Sequence, residues 1–216
     1  MKLSPHHVAG FSGLGATVLV LVGTWAFVLV RPEYSHIRHT ISELGESGSP
    51  ISSLVSFGFF LPTGVLVWVA IVFAYPFYAR DRSTAWGLRA FSSLGLGYVM
   101  AAFFPCDPGS PLMGSWQQQV HNVFGLIEYL GTGAGLMALG WSHTKVKSSL
   151  TGMALVLSGV AVLVGLVLLS TPSWVGMRGL VQRVTEVIMF GWLTVASLSL
   201  IFRFPQPNPA LARDGS

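Results

Sequence analysis

Apolar runs of about 20 residues recur along this chain of 216, and that is the length a helix needs to cross ~30 Å of hydrocarbon. In lipid the backbone has no water to bond, so a spanning segment must satisfy its own N–H and C=O groups as a helix. Runs at about 8–30, 54–77, 86–104, 120–141, 150–169 and 177–202 meet the criterion. The expected fold is therefore all-α: a polytopic membrane bundle of six transmembrane helices forming one domain, with a polar site near its outer face. Residues 203–216, rich in proline and polar groups, read as a disordered cytoplasmic tail.

Composition agrees. Charged residues are 9% of the chain, where a soluble domain carries about 25%, and mean hydropathy is +0.65. The formal net charge of +4 arises from few charges, so it does not call for nucleic acid. The first run is long enough to span and no small-residue cleavage site follows it, so it reads as a membrane helix and not as a removable signal. Cys106 stands alone and forms no internal disulfide. There is no internal repeat.

An even number of spans puts both termini on one side. That side holds Lys2, Arg80, Arg82, Arg89, Lys145, Lys147, Arg203 and Arg213; the other holds Arg31, Arg38, Arg178 and Arg183. The bias places both termini in the cytoplasm of a cell (inner) membrane. The three loops facing outward are then the polar ones. Arg31 to Gly45, RPEYSHIRHTISELG, carries His36 and His39 with Glu33 and Glu43. Pro105 to Gln119 carries Asp107 and leads into His121. Ser170 to Gly176 leads into Arg178, Gln182, Arg183 and Glu186.

Several of these residues have two readings. Glu128 follows His121 by seven positions, nearly two turns, so the two share a helix face with Glu128 about 10 Å deeper. It is either an acid/base group below His121 or a silent structural hydrogen bond. Arg183 and Glu186 are three apart, as in a local ion pair. Arg183, Arg178, Arg31 and Arg38 together suit a phosphate or carboxylate, or alternatively snorkel to head groups. His36, His39, Asp107 and His121 form a set that could hold a divalent metal, although H-x-x-H in a loop is a weak signature and the metal is not favoured. Thr40 to Glu43, T-x-x-E, reads more simply as a capping box than as a Ser42–Glu43 nucleophile and base.

The run Arg31, Pro32, Tyr34, Arg38, His39, Ile41, Ser42 and Leu44, then Asp107-Pro108, then His121, then Gly179, Leu180, Gln182 and Arg183 resembles, in order, a family of small bacterial and archaeal membrane proteins. That family is catalogued as domain of unknown function 998. Glu43 and Cys106 depart from its pattern. The resemblance implies a six-helix bundle with an outer polar pocket and implies no reaction. Its positions single out Tyr34, His39, Ser42, Asp107, His121, Gln182 and Arg183 as one site.

The functional expectation is an intramembrane enzyme doing acid/base chemistry on a lipid or isoprenoid-like amphiphile, by hydrolysis, isomerisation or proton-initiated cyclisation. Its acid/base candidates are His121, Asp107, Glu43, Glu128 and His39. Tyr34, Arg38, Ser42, Gln182, Arg183 and Glu186 would bind substrate. The alternatives are a lipid- or solute-binding sensor or accessory subunit, and a small transporter with Glu128 and Glu186 as proton-coupled groups. The bilayer and an amphiphilic small molecule are the expected partners.

Overall fold

The computed structural model describes residues 4–146 and 149–202, and all regular structure among them is helical. Six helical columns form. The first is α1 (Pro5–Val28), opened by a proline, which has no N–H to leave unpaired there. The second runs without a break from α2 (Ser52–Val55) through a π turn (Ser56–Phe60) into α3 (Leu61–Tyr78). The wide turn comes immediately before Pro62, whose ring would otherwise meet the carbonyl four residues back.

The third column is two helices, α4 (Arg82–Phe91) and α5 (Ser93–Phe103). Asp81 caps α4 by accepting from the Thr84 amide at 2.8 Å. The break at Ser92 is held from both sides: its hydroxyl donates to the Arg89 carbonyl at 2.6 Å, and the Trp68 indole donates to its own carbonyl at 3.0 Å. The remaining columns are α6 (Trp116–Val146), α7 (Ser149–Leu169) and α8 (Arg178–Phe202).

Five of the six columns are single helices long and apolar enough to cross a membrane. Together they make this a multi-pass membrane protein. Two expectations need correction. The third span is not one continuous helix. Residues 142–146, expected as a loop, continue α6, because nothing in that stretch breaks a helix. The expected tail, 203–216, lies outside the described residues.

The columns follow the chain around a closed ring. α1 packs on α3, α3 on α5, α4 and α5 on α6, α6 on α7, α7 on α8, and α8 returns to α1. Small residues set the spacing. Gly64 faces Gly95, Gly87 faces Gly135, and Gly133 and Gly140 face Gly159 and Gly152. A Cβ on any of them would meet facing backbone at 3.1 Å or less. Phe59, Leu94, Leu136 and Met189 fill the inside, while Val18, Leu21, Val22, Leu157 and Val187 are turned outward to lipid.

Residues 29–51, 104–115 and 170–177 gather at one end of the ring, the loop face. The first two are tied together there: Ser47 donates its amide to the Cys106 carbonyl at 2.8 Å and Gly109 to a Glu46 oxygen at 3.2 Å; the start of α8, which follows the third, joins them through the Leu180 amide on the Ile37 carbonyl at 3.0 Å.

Candidate functional site

The loop face is built on the Arg183 guanidinium. One nitrogen donates to the carbonyls of His36 (2.9 Å), His39 (2.9 Å) and Gly179 (3.0 Å), and the other donates to the Tyr34 hydroxyl at 2.7 Å. The Tyr34 hydroxyl in turn donates a hydrogen bond to the Thr40 carbonyl at 2.6 Å. Burial pushes the Tyr34 hydroxyl up to about 12, so it stays a donor. Gln182 accepts the Ile41 amide at 2.6 Å. Gly179 lies against the carbonyls of His36 and His39, where a Cβ would overlap them. The motif Gly179-Leu180-x-Gln182-Arg183 therefore latches the first loop onto the start of α8. Arg183 and Glu186 do not pair, contrary to their helical spacing: the guanidinium turns to the loop and the carboxyl turns to the ring interior.

The first loop is also closed on itself. Thr40 donates its amide and hydroxyl to Glu43 at 2.8 and 2.9 Å, the capping box expected from T-x-x-E, and opens the 3₁₀ turn Ile41–Gly45 that carries Ser42. Arg31 holds Glu33 (2.5 Å) and Glu46 (2.9 Å). Asp107 accepts from the amide and hydroxyl of Ser115, both at 2.7 Å, which holds its carboxyl below the usual range. Its own amide donates to Gln118. The His121 ring bonds the Phe104 carbonyl at 2.9 Å. Asp107 and His121 thus fasten the second loop to α6. Cys106 is buried and burial raises its thiol pKa well above normal. The structure does not assemble His36, His39, Asp107 and His121: among the described residues no three His, Cys, Asp or Glu side chains are grouped to hold a metal.

A second polar centre lies inside the ring. Glu186 accepts from the Tyr98 hydroxyl at 3.1 Å and the Tyr129 hydroxyl at 3.3 Å. Glu128 is within electrostatic reach of Glu186. One of its oxygens rests against Gly97, where any Cβ would overlap it; the other, Oε1, is buried with no hydrogen-bond partner. Gln182, which accepts the Ile41 amide, lies one turn before Glu186 on α8, so the loop latch and this centre are set on one helix.

Above Glu128 is open space. Gln118, Gly125, Glu128, Tyr129 and Thr132 share the inward stripe of α6, and the other four are buried. Yet nothing lies within 4 Å of where a Gly125 Cβ would be. Sequence reasoning missed Tyr98, Tyr129 and this gap. Tyrosines within otherwise apolar spans were the one available signal for the first two.

Residues 14–199 match the family described as "Protein of unknown function (DUF998)". The chain belongs to that family. None of the curated proteins and none of the solved structures matches it. In this DUF998 protein the resembling motifs are now accounted for physically. The first-loop run and Gly179–Arg183 are the two halves of one latch, and Asp107 and His121 anchor the second loop beside it.

Proposed function

We propose that this DUF998 protein is an intramembrane enzyme that moves protons to or from an amphiphile. The head group would rest at the loop face and the reacting part would enter the space beside Gly125. The observation carrying this reading is Glu128 Oε1, buried without a partner one turn below that space. A carboxyl inside a membrane helix bundle is costly and is normally retained for function. Two carboxyls within electrostatic reach, one fixed by two tyrosines and one with a free oxygen, suit giving a proton at one atom and accepting it at another. Glu128 is assigned the transfer and Glu186 the partner role. Isomerisation and proton-initiated cyclisation need only one proton given and one taken, with no water held at the reacting atom, so they fit better than hydrolysis. His121 and Asp107, whose polar atoms serve the loop, move from catalysis to support. The charge bias continues to favour both termini in the cytoplasm.

The test places the wild type, Glu128→Gln and Gly125→Phe in nanodiscs with a total lipid extract of the expression host, and follows the lipids by mass spectrometry. The wild type should form a species that both variants fail to form while they keep their thermal transition. Turnover by Glu128→Gln at the wild-type rate would overturn the reading. A pure binder would make no product and would hold its lipid equally well in Glu128→Gln. The place of Glu186, one helical turn below the Gln182 that holds the loop, favours a second reading, proton-coupled transport, in which Glu186→Gln stops proton flux in liposomes.

A further inference from the structure

Between the first loop, Pro108-Gly109 and the start of α8 lies an open cleft of about 500 Å³. Three carboxylates line it, and each already holds a donor on at least one oxygen. Glu46 takes Arg31 on one oxygen and the Gly109 amide on the other. Glu43 takes the amide and hydroxyl of Thr40 on one oxygen, and Glu33 takes Arg31 on one oxygen. Arg31 in turn is fully engaged with Glu33, Glu46 and the Glu43 carbonyl.

Its other donors are open. The Arg38 guanidinium has no partner among the described residues. Among the described residues Arg178 reaches only the Gly109 carbonyl, at 3.5 Å, and its Nε is buried without a partner. His39 accepts the Ser35 amide on Nδ1 at 2.9 Å, which leaves Nε2 as its N–H donor. A cleft whose carboxylates each already hold a donor and whose guanidinium and imidazole donors are open takes a ligand made of acceptors. Guanidinium forks and an imidazole N–H match the oxygens of a phosphate. The lip is apolar: Val175 at 61% exposure lines it, and Met177 and Ile37 stand exposed nearby. Such a lip lets an acyl chain leave the cleft for the bilayer.

We infer that this cleft binds a phosphate group through Arg38, Arg178 and His39, and that the phosphate is the head group of a membrane amphiphile. The inference rests on the reading of the loop face as the head-group end of the substrate. It replaces Arg183, whose two terminal nitrogens are taken by the latch, with Arg178.

The experiment titrates detergent-purified protein with dioctanoyl phosphatidic acid, dioctanoylglycerol and inorganic phosphate by microscale thermophoresis. The proteins are the wild type, Arg38→Gln/Arg178→Gln, Glu128→Gln, and Arg80→Gln/Arg82→Gln as a charge control from the opposite face. The phosphatidic acid should bind the wild type, the control and Glu128→Gln alike. The Arg38/Arg178 variant should bind it about tenfold or more weakly, as expected for lost charge-assisted bonds. Dioctanoylglycerol should bind about tenfold more weakly than the phosphatidic acid, and inorganic phosphate should not displace it. Displacement by inorganic phosphate would overturn the lipid source and leave a soluble phosphate ligand. Equal binding by the Arg38/Arg178 variant, or equal binding of the phosphate-free lipid, would overturn the site itself. Because Glu128→Gln is scored for binding here and for turnover above, failure of the proton-transfer reading and failure of this one are separable.

Discussion

Arg183 and Tyr34, 149 residues apart in sequence, share a 2.7 Å hydrogen bond, and the same guanidinium stands 5.5 Å over the tyrosine ring. Both contacts depend on a planar fork that a lysine lacks. Arg183→Lys keeps the charge and loses bonds to the latch carbonyls and to Tyr34. Stability should fall by about 2–4 kcal/mol, since carbonyls left buried and unpaired cost more than the bonds themselves were worth. Thermal unfolding in detergent measures it. A transition within a degree of wild type would mean that the latch does not hold the loop.

Gly179 tests the same latch from the backbone side. Its missing side chain lets α8 approach the carbonyls of His36 and His39, the latter so closely that a Cβ would overlap it. Gly179→Ala should cost about 1–3 kcal/mol through forced displacement of the loop, and hydrogen exchange of residues 34–41 should quicken. Gly125→Ala, where nothing lies within 4 Å, should be tolerated; an equal loss at both positions would argue for a general helix effect.

The latch also explains what was legible in advance. Hydropathy displayed the columns, and T-x-x-E displayed the Thr40–Glu43 cap, because both are local. Spacing also put His121 and Glu128 on one face of α6. It misled at Arg183, where a neighbour three residues away lost to a loop almost 150 residues away. The break at Ser92 was invisible because its stabilising donor, Trp68, comes from another column. That the three polar loops converge follows from the closed ring order, which no hydropathy profile contains. The gap at Gly125 was hidden for the same reason: a glycine on a buried stripe reads as close packing until its neighbours are known.

Acid should loosen the loop face. Burial and the Arg183 charge lower the pKa of His36 from 6.5, and its Nδ1 is buried without a partner. A group that resists protonation in the fold contributes stability above its unfolded pKa. That contribution is lost as pH falls from about 6.5 through the lower folded value. Asp107, held low by Ser115, acts in the same direction further down, below the usual carboxylate range. The midpoint of thermal unfolding should therefore fall between pH 8 and pH 5, and His36→Gln should flatten that part of the profile. An unchanged slope in His36→Gln would assign the effect to other histidines.

Glu128 separates function from stability. Its free oxygen makes no bond, so its burial is a cost that nothing in the fold offsets. An unsatisfied buried polar group of this kind costs about 1–3 kcal/mol. Glu128→Met keeps the length of the side chain, removes both oxygens and retains the fit against Gly97. It should therefore melt higher than the wild type by several degrees while losing turnover, the pattern expected where an active group is kept against stability. Glu186→Met should do the opposite, since it strands the hydroxyls of Tyr98 and Tyr129. If Glu128→Met melts lower than the wild type, the carboxyl has a structural partner. Its retention would then need no function, and the reading of the ring interior as a proton-transfer site would lose its main support.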